Sequence, residues 1–109
     1  MEISTTALPG VLILTPKRFE DARGFFVETY NRRDLAQRGL DVDFVQDNQS
    51  LSRRVGTIRG LHFQIPPHAQ AKLVGVARGK ILDVVVDVRT GSPAWGRHVA
   101  VDLSDDNGC

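Results

Sequence analysis

Apolar residues recur at every second position in several short runs, and Gly, Pro, Asp and Asn separate those runs, so most of this chain is committed to half-buried β-strands. The expected strands are residues 11–15, 24–30, 42–50, 57–64, 71–78, 81–88 and 97–103. Only residues 31–38 read as a helix, with Asn31 as N-cap, Asp34 in the first turn and Gly39 as the stop. Many short strands with one short helix argue for an all-β sandwich or jelly roll and against a parallel sheet with crossover helices. The 109 residues suffice for a single domain, 1–109, and show no repeat, linker or low-complexity segment. Asp105-Asp106-Asn107-Gly108 is a hairpin turn signal placed straight after the last expected strand. It predicts a returning strand past Cys109, so the fold is expected to be the N-terminal part of a longer one; a frayed polar tail is the alternative.

Strand parity shows where polar groups are aimed, because successive side chains point to opposite faces. Lys72 shares a face with Val74 and Val76, an unusual place for an ammonium. Asp83 shares one with Ile81 and Val85 in a strand that is apolar on both faces, and is expected to be buried. Phe44, Gln46 and Asn48 form one mixed face; Phe26, Glu28 and Tyr30 form another. In residues 57–64 strict alternation sends Arg59 and His62 to opposite faces, and a bulge at Gly60 is predicted to reunite them.

Composition narrows the function classes. Fourteen basic and thirteen acidic residues give a net charge of +1, which draws the chain to neither nucleic acid nor an anionic membrane. No apolar run reaches the length of a membrane span, and the first ten residues lack a signal-peptide pattern, so the cytoplasm is the expected location. The single cysteine, Cys109, excludes an internal disulfide framework and a cysteine-based metal cluster.

Six segments in order then carry a family resemblance. They are Asp21-Ala22-Arg23-Gly24-Phe25-Phe26-Val27-Glu28, Phe44-Val45-Gln46-Asp47-Asn48, Arg59-Gly60-Leu61-His62-Phe63-Gln64, Pro66-Pro67-His68-Ala69-Gln70-Ala71-Lys72-Leu73-Val74, Gly79-Lys80-Ile81-Leu82-Asp83-Val84-Val85-Val86-Asp87 and Gly91-Ser92-Pro93. Together, across residues 8–107, they resemble the dTDP-4-dehydrorhamnose 3,5-epimerases. The resemblance implies a cupin-type jelly roll, a homodimer, no cofactor, and a nucleotide-linked 4-keto sugar as substrate in dTDP-L-rhamnose biosynthesis. Such an epimerisation needs a base for the acidic protons beside the ketone, a cation for the enolate oxygen, and an acid on the opposite face.

Carried over by motif position, the base is His62 and the enolate cation Lys72, in agreement with the parity of Lys72. An imidazole of ordinary pKa, about 6.5, suits proton abstraction near neutrality. Arg23, Gln46, Asn48 and Arg59 correspond to binding residues, the arginines suiting a diphosphate with their forked donors. Glu28 corresponds to a contact with the thymine edge, and Phe26, on its strand face, is placed to stack on the base. The family's tyrosine acid, the base's carboxylate partner and a second tyrosine against the thymine fall past Cys109. Asp83 is left between a local hydrogen bond and a support for His62.

The duller readings are a packed or surface role for His62, a snorkelling Lys72, a solvated face at Arg53 and Arg54, and a core or interface Trp95. His68 and His98 receive no function. A metal-dependent cupin is the rival from another class, but it needs a His-x-His pair and a later Glu. Here Gln64 stands two positions after His62, and the glutamates Glu2, Glu20 and Glu28 all precede it. No metal is expected. Further alternatives are a non-catalytic fragment, and a sister activity: a dTDP-sugar 3-epimerase, 5-epimerase or ketoisomerase.

Overall fold

The computed structural model describes residues 1–109. It holds six strands and one helix: β1 (Glu2–Thr5), β2 (Leu12–Thr15), β3 (Arg18–Asp21), β4 (Gly24–Val27), α1 (Arg32–Gln37), β5 (Lys80–Val86) and β6 (His98–Ser104). The residues group into two compact units, one comprising Met1–Tyr30 with Val74–Cys109 and the other Asn31–Leu73. No helix is long and apolar enough to cross a membrane.

In the first unit the strands pair as three antiparallel hairpins, β1 with β2, β3 with β4 and β5 with β6. The β5–β6 ladder is the longest. Val84 faces Ala100 and Val85 faces Val99, β-branched or small residues that suit a pleated surface. Asp83 pairs with Val101 and is half-buried rather than buried. Core packing centres on Leu8, Ala94 and Leu103, and Leu8 keeps only 2% of its surface. Leu8 is held by the turn that joins β1 to β2, where Thr6 Oγ1 accepts from the Leu8 amide at 3.1 Å and donates to the Val11 carbonyl at 3.0 Å.

The loop between β5 and β6 is organised by one buried carboxylate. Asp87 accepts from the Arg89 amide at 3.0 Å, from Arg89 Nε at 3.0 Å and Nη2 at 2.8 Å, and from Ser92 Oγ at 2.6 Å. Its own backbone donates to Arg97 and accepts from Gly96, which closes the loop at both ends. These donors hold the Asp87 carboxyl far below the ordinary carboxylate range, the Arg89 side chain contributing most. Arg89 also donates to the Pro9 carbonyl at 3.1 Å and so ties this loop to the β1–β2 turn.

The second unit contains α1 and otherwise no regular element. The helix forms where the sequence places it. Asn31 Oδ1 accepts from the amides of Arg33 and Asp34, while Gly39, at φ +88°, and Leu40 donate back to Ala36 and Leu35, a Schellman closure. Leu35, the single buried helix residue, keeps 2% of its surface.

Three expected strands, at 42–50, 57–64 and 71–78, are not strands in the structure. Alternation records a preference for one-sided burial, but a strand exists only where a neighbour accepts its backbone hydrogen bonds, and no strand of the chain pairs with these segments. The bulge expected at Gly60 therefore has no ladder to interrupt, and Lys72 lies on no strand face. β1 and β3 were not expected. Each offers a single apolar residue, Ile3 or Phe19, among polar ones, too little alternation to register. Trp95 is not in the core, at 67% exposure.

Candidate functional site

In the first unit, the β3–β4 hairpin presents Arg23 and Phe26. Asp21-Ala22-Arg23-Gly24 forms its turn, with Asp21 opposite Gly24 and Phe19 opposite Phe26. Phe19 and Phe26 thus share one face of the hairpin, and Phe26 is 70% exposed, a flat apolar surface open to a planar partner. Arg23 folds back on Asp21, with Nη2 to Oδ2 at 2.6 Å and its amide to Oδ1 at 2.8 Å. This pair lowers the Asp21 carboxyl and raises the Arg23 guanidinium. Although so paired, the Arg23 side chain is 90% exposed. Together with Phe19, Glu20, Phe25 and Gly24 these residues line an open depression of about 370 Å³. Glu28 is exposed one residue past the end of β4. Asp83 is in this unit too, in the middle of β5.

In the second unit, Gln46 Nε2 donates to Asn48 Oδ1 at 3.0 Å, so these two side-chain amides are joined directly. Arg59 donates through Nε to Ser52 Oγ at 3.1 Å and through Nη2 to the Leu51 carbonyl at 3.2 Å, which orients its fork. The chain then turns at Gly60, whose φ of +114° is a conformation that L side chains rarely adopt. His62 follows on that turn: its Nδ1 lies 3.8 Å, and its amide nitrogen 3.5 Å, from where a Cβ on Gly60 would stand. Glycine rather than a bulge sets the path from Arg59 to His62. Gly60→Ala should therefore cost about 1–3 kcal/mol of backbone strain, which denaturant titration measures. His62 and Lys72 are both exposed.

No group of three His, Cys, Asp or Glu side chains is arranged to hold a metal ion. Sequence reasoning passed over two arrangements that organise the first unit, the Asp87–Arg89–Ser92 cluster and Arg18. The Asp-x-Arg spacing with a serine three residues on was the available signal for the first. Arg18 offered none, because its partners are backbone carbonyls far along the chain.

The family model for dTDP-4-dehydrorhamnose 3,5-epimerase matches residues 5–109. The enzyme of that name from Salmonella typhimurium is 50% identical over 108 residues, which are 98% of this chain and 58% of the relative. That from Sinorhizobium fredii is 45% identical over 99% of this chain and 55% of its own length. The chain thus spans a little over half the length of these relatives. Among solved structures, the Bacillus anthracis enzyme with TDP and PPi bound superposes with a TM-score of 0.94 at 46% identity, over 98% of this chain and 61% of that one. The Legionella pneumophila enzyme in complex with dTDP-4-keto-L-rhamnose gives 0.90 at 41%, over 98% and 56%. The all-β class expected from alternation is thereby the cupin-type jelly roll of these enzymes. A match over nearly the whole sequence, and the same fold at more than 40% identity, place this chain in the dTDP-4-dehydrorhamnose 3,5-epimerase family.

Proposed function

We propose that this chain carries the base and much of the nucleotide-binding surface of an enzyme that converts dTDP-4-dehydro-6-deoxyglucose to dTDP-4-dehydrorhamnose. The supporting observation is the family match over residues 5–109, joined to solved relatives that hold TDP and a dTDP-keto sugar. In this reading His62 takes a proton from a carbon beside the ketone, and the bonding electrons move onto the ketone oxygen as an enolate. Lys72 stabilises that oxygen, an interaction that strengthens as water leaves the site. Reprotonation from the opposite face inverts the carbon. Arg23 and Arg59 hold the diphosphate, Gln46 and Asn48 bind as a joined pair, Phe26 stacks on thymine and Glu28 meets its edge. The enzyme acts in the cytoplasm as a homodimer and uses neither cofactor nor metal.

A second reading is a half site, in which the base acts without an inverting acid. The chain spans 55% and 58% of two relatives, and its one tyrosine, Tyr30, precedes the base. A half site would labilise the protons beside the ketone without inverting either carbon. NMR of the keto sugar after incubation with the chain separates these outcomes. Inversion at both carbons is expected of the complete activity. Inversion at one carbon marks a 3- or 5-epimerase, a migrated ketone marks a ketoisomerase, and a chemically unchanged sugar with exchanged protons marks the half site. A sugar with neither inversion nor exchange contradicts the proposal.

A further inference from the structure

Face parity divides the β3–β4 hairpin into two unlike sides. One carries Phe19 and Phe26, and the other carries Arg18, Glu20, Phe25 and Val27, as the pairings of Arg18 with Val27 and Glu20 with Phe25 require. On this second side the Arg18 guanidinium lies over the Phe25 ring, 4.6 Å from its centroid. Its Nη1 donates to the Asp106 carbonyl at 3.1 Å and its Nη2 to the Asp105 carbonyl. Gly108 sits against the same group, for a Cβ there would stand 3.1 Å from Nη2 and 3.2 Å from Nε.

The acceptor turn is itself fixed. Ser104 and Asn107 exchange hydrogen bonds at 3.0 Å, and the Asp105 amide donates to the Gly79 carbonyl at 3.1 Å, next to β5. The guanidinium therefore joins a two-stranded hairpin, marginally stable by itself, to the turn that follows the longest ladder. A forked, planar donor suits two successive carbonyls in a way that an ammonium cannot.

From this we infer that Arg18 is a positioning residue: by clamping the hairpin to the 105–108 turn it holds Arg23 and Phe26 in place for a nucleoside diphosphate. The inference rests on the nucleotide-binding reading of Arg23 and Phe26. Its effect is one of pre-organisation, since a hairpin that must be ordered on binding loses affinity.

The test measures thymidine diphosphate affinity by calorimetry, at a temperature where every variant is folded, together with amide hydrogen exchange of residues 18–27. Arg18→Met keeps the stem over Phe25 and removes the fork. Gly108→Ala instead crowds the guanidinium from the other side, and serves if Arg18→Met does not fold. Either variant should weaken binding about tenfold and speed exchange in the hairpin while leaving that of α1 unchanged. Arg18→Lys should restore binding only in part. Wild-type affinity in Arg18→Met and Gly108→Ala, or unaltered hairpin exchange, would overturn the inference. Failure of the unaltered protein to bind thymidine diphosphate would instead sink the nucleotide reading beneath it, an outcome plainly distinct from the first.

Discussion

Replacing His62 with alanine is expected to lower turnover of the dTDP-4-keto sugar by about 10²- to 10⁴-fold, the usual worth of a positioned general base. Thymidine diphosphate affinity should change little, because the residues proposed to bind the nucleotide are others. The expectation has a physical basis beyond the family motif. The imidazole is exposed, follows a turn that glycine permits, and shares its segment with Arg59, whose fork is already oriented by Ser52 and Leu51. Steady-state rates for the variant and the unaltered chain, measured beside their affinities, check both halves. Equal rates would remove His62 from the chemistry. A parallel loss of affinity would make it a binding residue.

The second large effect concerns stability. Asp87→Ala should lower the melting temperature by on the order of 10 °C, given several degrees for each lost kilocalorie in a domain of this size. It removes the acceptor for the Arg89 amide, two guanidinium nitrogens and Ser92 Oγ, and releases Arg89 from its seat beside Pro9. The pH dependence has a definite sign. A carboxyl whose folded pKa is depressed stabilises the fold above the ordinary value of 3.8, and that contribution is lost as pH falls from there toward the depressed value. Melting curves of the unaltered chain and of Asp87→Asn should therefore differ most near neutrality and converge in acid. A constant gap from pH 7 to pH 2 would show that the charge of Asp87 is not what holds the loop.

Features that depend on neighbours in sequence were legible. Asn31, Asp34 and Gly39 mark the helix because capping is local, and the structure places cap and closure at those residues. The β2, β5 and β6 runs likewise read through, and β5 pairs with β6 within the chain. Residues 42–50, 57–64 and 71–78 alternate as convincingly but form no ladder, because alternation does not supply the neighbouring strand. Parity misled for the same reason at Lys72, where no strand defines a face.

Within the candidate site, hydrogen bonds between sequence neighbours were legible and strand geometry was not. Gln46 and Asn48 were expected on one strand face; no strand forms there, and their side chains are hydrogen-bonded to each other instead. A bulge was expected at Gly60; the segment forms no ladder, and the glycine takes a positive φ instead. The partner of Arg23, two residues away, could have been read from the Asp21-x-Arg23 spacing. Arg18 could not, since its acceptors lie 87 and 88 residues along the chain.

Proton exchange tests the central claim most directly, because it reports removal of the proton beside the ketone whether or not inversion follows. In deuterated buffer, the unaltered chain is predicted to place deuterium on the carbons flanking the ketone of dTDP-4-dehydro-6-deoxyglucose, and the His62→Ala chain to place no more than buffer alone. Exchange at the full rate in His62→Ala, or none with the unaltered chain, would contradict it.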